Sequence, residues 1–140
     1  MEQHFHQVEQ SLPIAVPAWL VLRAYFELLR VDAQLAWRGF SVVYEKVRSS
    51  QARKDRHKAQ TETDICRAVD LACVFYFKEV RCLQRSAATT TLLRRSGFSA
   101  EMVLGVQTCP YRAHAWVELA GRVVNDKPYT PAIYTVMDRC

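Results

Sequence analysis

The sequence has few glycines, no closely paired cysteines and no long apolar run, and each absence excludes a class of protein. Its four glycines, spread over 140 residues, form no phosphate-binding loop, which argues against nucleotide-driven chemistry. The cysteine count is odd, without any C-x-x-C pair, which is typical of reduced thiols in a cytoplasmic protein. These cysteines are Cys66, Cys73, Cys82, Cys109 and Cys140.

The longest apolar run is too short to cross a membrane. It covers residues 12–22, contains two prolines and ends at Arg23, whereas a spanning helix needs about 20 apolar residues. The first ten residues include two glutamates and no lysine or arginine, so they do not resemble a secretory signal. We therefore expect no transmembrane segment and a cytoplasmic location.

The composition predicts one folded domain over residues 1–140. Half of the residues are hydrophobic, which is enough for one sizeable core in a chain of this length. We expect an apolar helical region and a basic linker over residues 1–60, followed by the main core of the domain over residues 61–140. The net charge of +5 raises the possibility of a nucleic-acid partner. However, no aromatic residue interleaves the basic cluster at residues 53–58 to stack a base, so nucleic acid is not expected as a partner.

The hydrophobic periodicity predicts an α+β fold, with helices first and a short antiparallel sheet after them. Apolar residues at three- and four-residue steps predict helix over residues 17–47, with a break near Gly39. A second helix is expected from Thr61 or Thr63 to about Lys78, and a third from Cys82 to a glycine cap at Gly97. Strands are predicted over residues 101–106, 112–119 and 122–125.

Cys82 is the candidate nucleophile because it is expected to open a helix. The positive end of the helix dipole stabilises a thiolate there, and Arg81 and Arg85 act in the same direction. Taken alone, such a residue is more commonly a buried structural cysteine. The candidate therefore needs a base close to it.

The predicted hairpin around Ala120 offers that base. If its loop has three residues, from Leu119 to Gly121, then cross-strand partners have numbers that sum to 240. The matched pairs would be His114 with Asp126, Trp116 with Val124, and Glu118 with Arg122. Directly opposed residues have Cβ atoms about 5 Å apart, so Asp126 could orient the imidazole of His114. A two-residue loop would instead set His114 against Lys127 and lose all three matches.

These residues could also have purely structural roles or bind a metal. His114 could be an ordinary histidine beside an aromatic residue, and Asp126 a turn former ahead of Lys127 and Pro128. A zinc site built from Cys82, Cys109, His114 and Asp126 lacks a compact Cys/His pair, and His4 and His6 are too close to the terminus to supply one. No metal is expected.

The stretch from Cys82 to Asp126 resembles the lasso peptide leader peptidases, whose core has the transglutaminase-like, papain-related fold. The motifs that carry the resemblance are, in order, CLQRS, LLRRSGF, VLGV, RAHAWVEL and GRVVND. Carried over residue by residue, the family's Cys-His-Asp triad falls on Cys82, His114 and Asp126. The resemblance covers about half the chain strongly, and the residues before Thr61 match less well.

The resemblance implies a cysteine protease that removes the leader from a ribosomally synthesised lasso precursor peptide. Cys82 would attack the carbonyl at the leader–core junction, His114 would act as base and then acid, and Asp126 would orient His114. No cofactor is required for that step. The backbone N–H of Cys82 is expected in the oxyanion hole, and Gln84 and Gln107 are candidates for its second donor.

The resemblance also implies partners. These are the precursor peptide with its leader, a separate protein that recognises the leader, and the ATP-dependent lasso cyclase. The apolar N-terminal helix and the basic residues Arg53, Lys54, Arg56 and Lys58 are the predicted contacts to the leader or its recognition protein. Two alternatives remain: a transglutaminase-like acyltransferase with the same triad, and a non-catalytic module that binds the peptide.

Overall fold

A computed structural model describes residues 15–54 and 60–140 of the chain. The predictions about the first ten residues, about His4 and His6, and about Arg56 and Lys58 lie outside this part. The helices are α1 (Ala18–Arg38), α2 (Phe40–Ser49), α3 (Glu62–Phe75), α4 (Cys82–Arg95) and α5 (Thr130–Ile133). The strands are β1 (Ala100–Thr108), β2 (Tyr111–Leu119), β3 (Arg122–Val123) and β4 (Thr135–Arg139). No helix in the described residues is long and apolar enough to cross a membrane.

The predicted α+β fold is confirmed: in the described residues, α1 to α4 precede a four-stranded antiparallel sheet, and the short α5 lies between β3 and β4. The strand order is β3-β2-β1-β4. Met102 of β1 and Val117 of β2 are fully buried and join the cluster of apolar side chains from α1 to α4. Because side chains alternate across a strand, their neighbours Val103 and Trp116 point to the opposite face of the sheet. The helices therefore cover one face, and the other face carries Trp116.

Gly39 separates the first two helices, as predicted. Its φ of 81° lies in the left-handed region that favours glycine, and this residue ends α1 and precedes α2. On α1, the predicted apolar stripe is buried at Leu20, Ala24, Leu28 and Val31. The break turns α2 so that Val43 and Val47 also enter the core.

The predicted cap of α3 is Thr61. Its side-chain oxygen accepts a hydrogen bond from Asp64 N at 3.1 Å, and Asp64 Oδ2 accepts one from Thr61 N at 3.2 Å. This reciprocal pair satisfies backbone N–H groups at the helix start. The helix ends at Phe75, three residues before the predicted end near Lys78. Tyr76 leaves the helix, and its hydroxyl donates a hydrogen bond to Asp32 Oδ2 at 3.2 Å.

The ends of α4 also agree with the sequence prediction. Cys82 is the first residue of the helix, and Gly97 follows its last turn with φ of 92°. The N–H of Phe98 donates to Leu93 O at 3.0 Å, which satisfies a carbonyl at the helix end. This geometry places Cys82 and the basic pair Arg94 and Arg95 at opposite ends of one helix.

The predicted register of the second hairpin is wrong. Glu118 pairs with Val123 and Leu119 with Arg122, so partner numbers sum to 241 and the turn has two residues. Ala120 and Gly121 both have positive φ, of 52° and 76°, which is the backbone of a type I′ turn. This compact turn matches the twist of the strands, whereas the prediction had relied on side-chain pairing alone.

The side-chain pairs predicted from that register change accordingly. Glu118 bonds to Trp116 and Arg139 rather than to Arg122. Arg122 instead forms an ion pair with Glu62 at the start of α3. The predicted contact between His114 and Asp126 does form. These two residues are not paired in the sheet, however, because β3 ends at Val123.

Candidate active site

Cys82 is half-buried at the start of α4, and a polar cluster fixes that start. The N–H of Arg81 donates to Gln84 Oε1 at 2.9 Å, and Gln84 Nε2 donates to Asp32 Oδ1 on α1 at 2.6 Å. Lys78 forms an ion pair with Asp32 at 2.7 Å. The backbone around Cys82 is therefore tied to α1 through one buried amide side chain.

These contacts bear on the two predicted oxyanion donors. The Gln84 amide is engaged at both its oxygen and its nitrogen, so Gln84 positions the start of α4. Gln107 Nε2 makes a long contact of 3.5 Å with Cys109 O, at the exposed turn between β1 and β2. Both residues stay predictions for the second oxyanion donor.

The structure brings His114 and Asp126 together. His114 Nε2 and Asp126 Oδ2 are hydrogen-bonded, and the other carboxylate oxygen, Oδ1, accepts from Lys127 N at 2.8 Å. Burial would raise the pKa of Asp126, but the hydrogen bonds from His114 and Lys127 outweigh it and hold that pKa below its ordinary value. Asp126 is therefore a carboxylate at neutral pH, and His114 Nδ1 is the ring nitrogen that it leaves free.

Asn125 explains how Asp126 reaches His114 after the strand has ended. Its Oδ1 accepts a hydrogen bond from Val117 N at 2.7 Å, so the side chain replaces a backbone partner in the ladder. Its Nδ2 donates to Ser86 Oγ at 3.1 Å, and Ser86 Oγ donates to Ala115 O at 3.0 Å. Asn125 and Ser86 are buried, and neither was identified from the sequence.

The same contacts place α4 beside the strand that carries His114. Ser86 lies four residues after Cys82 on α4, which is about 6 Å along the axis. It bonds to Ala115, the residue directly after His114. No hydrogen bond joins the Cys82 thiol to the His114 ring, both of which lie in the described part of the chain. His114 and Asp126 of the predicted triad are thus in contact, and Cys82 lies at the start of α4, which packs against β2.

Two aromatic rings, those of Tyr134 and Trp116, stack with the His114 ring. The Tyr134 ring lies 5.0 Å from it at an interplanar angle of 28°, and the Trp116 ring lies 6.0 Å away. Trp116 is itself fixed by a hydrogen bond from Nε1 to Glu118 Oε1 at 2.9 Å. Tyr134 was not identified from the sequence because it lies outside every predicted strand. Tyr134 is the residue that connects α5 to β4, and there its ring stacks on His114.

Gly105 makes room for this stack. A Cβ added there would lie 2.7 Å from two ring atoms of Trp116 and 2.9 Å from Tyr134 Cβ. Gly105→Ala is therefore expected to destabilise the fold by about 1–3 kcal/mol, measured by denaturant unfolding, because the ring has no space to yield. The matched test is a double-mutant cycle with Trp116→Leu. A smaller loss in the double variant than the sum of the two single losses is expected, whereas simple additivity would contradict the clash.

An open cleft of about 350 Å³ lies beside Asp126. Its lining includes Arg85 on α4, which forms an ion pair with Asp70 at 2.6 Å. The charge of Arg85 also helps to keep the pKa of Asp126 low. The cleft thus leaves Asp126 accessible to solvent from the Arg85 side.

The cysteines differ in how burial affects them. Burial raises the pKa of the Cys66 thiol to about 12, with a smaller contribution from Asp70 and Glu62. At pH 8 only about one Cys66 in 10⁴ is then a thiolate, so iodoacetamide is expected to leave Cys66 unmodified in the folded protein. The exposed Cys109 serves as the internal control, and peptide mapping by mass spectrometry gives the result. Labelling of Cys66 as fast as Cys109 without denaturant would contradict this prediction.

The donor sets of the site do not fit a metal. No group of three or more His, Cys, Asp and Glu side chains within residues 15–54 and 60–140 is arranged to hold an ion.

A cysteine that begins a helix and a His–Asp pair on the neighbouring hairpin are the main features of this site. The transglutaminase-like superfamily model matches residues 26–139, so the chain belongs to this superfamily. The chain is also 36% identical over 61 residues to the microcin J25-processing protein McjB of Escherichia coli. That match covers 42% of this chain and 29% of the relative, so the chain matches under a third of the relative's length. No solved structure matches the chain.

Proposed function

We propose that the protein is a cysteine peptidase that cleaves a ribosomally made lasso precursor peptide at its leader–core junction. The observation that carries the proposal is the His114–Asp126 hydrogen bond, beside a helix that begins with Cys82. Membership of the transglutaminase-like superfamily and similarity to a microcin J25-processing protein support it. The triad of Cys82, His114 and Asp126 and the substrate are both parts of the proposal.

In the first half of the reaction, the His114 imidazole takes the proton of the Cys82 thiol, and the thiolate attacks the carbonyl carbon of the scissile peptide. The carbon–nitrogen bond breaks as His114 gives the proton to the departing amine, which is the new N-terminus of the core. Asp126 holds the imidazole by Nε2 and stabilises its charged form. The leader remains as a thioester on Cys82.

In the second half, water resolves the thioester. His114 accepts a proton from the water, the oxygen adds to the thioester carbon, and the carbon–sulfur bond breaks. The leader leaves with a free carboxylate, and Cys82 recovers its proton. No cofactor takes part in either half. The partners proposed with this function are the leader peptide, a separate leader-recognition protein and the ATP-dependent cyclase that uses the freed amine.

The test is mass spectrometry of a lasso precursor peptide incubated with the protein and a leader-recognition protein in water enriched in ¹⁸O. One cut at the leader–core junction, with ¹⁸O in the new leader carboxylate, is the expected result. Omitting the recognition protein is the control for partner dependence. An intact precursor under all these conditions would contradict the proposed function.

A second candidate is an acyltransferase that uses the same triad, and superfamily membership favours it. An amine would then resolve the thioester in place of water. The same experiment separates the two functions once a primary amine such as glycinamide is added. A leader whose mass is increased by the amine, without ¹⁸O, would favour the transferase. If peptide is bound but never altered, the protein is a non-catalytic binding module.

A further inference from the structure

A basic recess lies between α1, α2 and α4, away from the His114–Asp126 pair. Its volume is about 220 Å³, and valines of α1 and α2 form part of its apolar wall. The basic residues that line it are Arg30, Lys46, Arg53, Arg94 and Arg95. The proposed reaction uses none of these residues.

Arg94 is the deepest cation of the basic recess, with 8% of its surface exposed. Its Nε donates to Ala100 O at 2.8 Å, and its Nη1 donates to Ser50 O at 3.0 Å, to Ser50 Oγ at 2.9 Å and to Val47 O. All these acceptors are neutral oxygens. Arg94 thus satisfies the carbonyls at the end of α2, but no carboxylate forms a hydrogen bond with this nearly buried guanidinium in the described residues.

Glu27 provides the negative charge next to the basic recess. It is 4% exposed and accepts hydrogen bonds from Arg30 Nε at 2.9 Å and from Arg95 Nη1 at 3.0 Å. The C-terminal ends of α2 and α4 add about half a negative charge each. Glu101 also interacts electrostatically with Arg94. The five cations still exceed the charges of Glu27, Glu101 and the two helix ends by about two.

Lys46 also lines the basic recess. Within the described residues it forms no ion pair, and its pKa is lowered by partial desolvation and by the nearby charge of Arg30. Arg53 is exposed at the rim, and its backbone N–H is fixed to Arg94 O at 3.0 Å. The recess therefore presents surplus positive charge on a backbone that is already held in place.

We propose that the basic recess binds a carboxylate side chain of an acidic segment in the leader of the precursor peptide. The size fits this ligand, because 220 Å³ is below the roughly 300–1,000 Å³ of pockets for drug-sized molecules and suits one side chain. The proposal rests on the proposed function for the identity of the peptide. The recess itself is argued from its charge and shape alone.

The position of the recess along α4 sets the spacing that the peptide needs. Arg94 follows Cys82 by twelve residues of helix, which corresponds to about 18 Å. An extended peptide covers at most about 3.6 Å per residue. An acidic leader residue in the recess must therefore lie at least about five residues from the scissile bond.

The first test measures binding of a blocked tetraglutamate peptide to the full chain by NMR titration at low salt. The double variant Lys46→Gln/Arg53→Gln is compared with Arg48→Gln/Arg67→Gln, which has the same net charge but does not alter the lining of the recess. The recess variant is expected to bind about tenfold more weakly and the control within twofold of the original, since an exposed charge pair contributes up to about 1 kcal/mol. Equal weakening in both variants would overturn the recess as a site.

Two further arms identify the ligand. Inorganic phosphate that binds the recess more tightly than tetraglutamate would overturn the acidic-peptide assignment. A precursor whose leader Asp and Glu residues are changed to Asn and Gln should have a higher KM with the wild-type protein but an unchanged KM with the recess variant. An equal rise in KM with both proteins would show that the carboxylate does not come from the leader.

The recess and the peptidase can fail separately. Tetraglutamate binding without any precursor cleavage would support the recess and contradict the proposed peptidase.

Discussion

Replacing Cys82 with alanine is expected to reduce precursor cleavage by at least about 10³-fold, because no other group in the proposed triad can form the thioester. The fold should survive, since Cys82 is half-buried at a helix start and loses only a sulfur atom. Its effect on the free energy of unfolding is expected to stay below about 1 kcal/mol. Quantitative mass spectrometry of the peptide products and thermal unfolding monitored by circular dichroism give the two results.

The matched control for this prediction is Cys109→Ala. Cys109 is an exposed free cysteine in the turn between β1 and β2, so the same substitution removes a thiol outside the proposed triad. Its cleavage rate should equal that of the wild type. If Cys82→Ala cleaved as fast as Cys109→Ala, the thiol of Cys82 would not be the nucleophile, and the proposed mechanism would be wrong.

Asp126→Asn is expected to lower kcat by roughly 10²–10⁴-fold while KM changes little. The asparagine can still accept a hydrogen bond from His114, but it lacks the negative charge that stabilises the imidazolium. The loss therefore appears in the chemical step. Asp138→Asn is the control, because it removes the same charge from β4 at a carboxylate that contacts Tyr44 instead of His114.

The pH dependence of stability is an independent test of whether Asp126 is ionised in the folded protein. Its pKa is lower in the folded protein than in the unfolded chain, so the carboxylate stabilises the fold above the unfolded value and loses that contribution as the pH falls through the folded value. The stability difference between wild type and Asp126→Asn should therefore be present at pH 7 and shrink below about pH 4. A difference that stays constant down to pH 2 would contradict the ionised His114–Asp126 pair.

Local signals in the sequence were sufficient for the helices. Gly39, Thr61 and Gly97 act through their own backbone or nearest neighbours, and each ends or begins a helix at the predicted position. The position of Cys82 at the start of α4 follows from the same kind of signal. The end of α3 was misplaced because Tyr76 leaves the helix for a contact with Asp32, which is far away in the sequence.

The contact between His114 and Asp126 was predicted correctly, but from a register that is wrong. Pairing side chains across a hairpin assumed that the strand continues to residue 126, whereas it ends at Val123. The missing step is the Asn125 side chain, which substitutes for the ladder and cannot be recognised without the position of Ser86. Tyr134 was missed for a similar reason, because its stacking on His114 depends on β4, which the sequence pattern did not predict.

The hydroxyl of Ser86 connects the three structural elements of the proposed active site. It donates to the strand at Ala115 and accepts from the loop at Asn125, so the helix of the proposed nucleophile, the strand of the base and the loop of its carboxylate partner meet at one atom. A shift of α4 against the sheet would break both bonds at once. The position of Cys82 relative to His114 and Asp126 therefore depends on this one hydroxyl, whereas Asn125 stays bonded to Val117 N and keeps the loop on the strand.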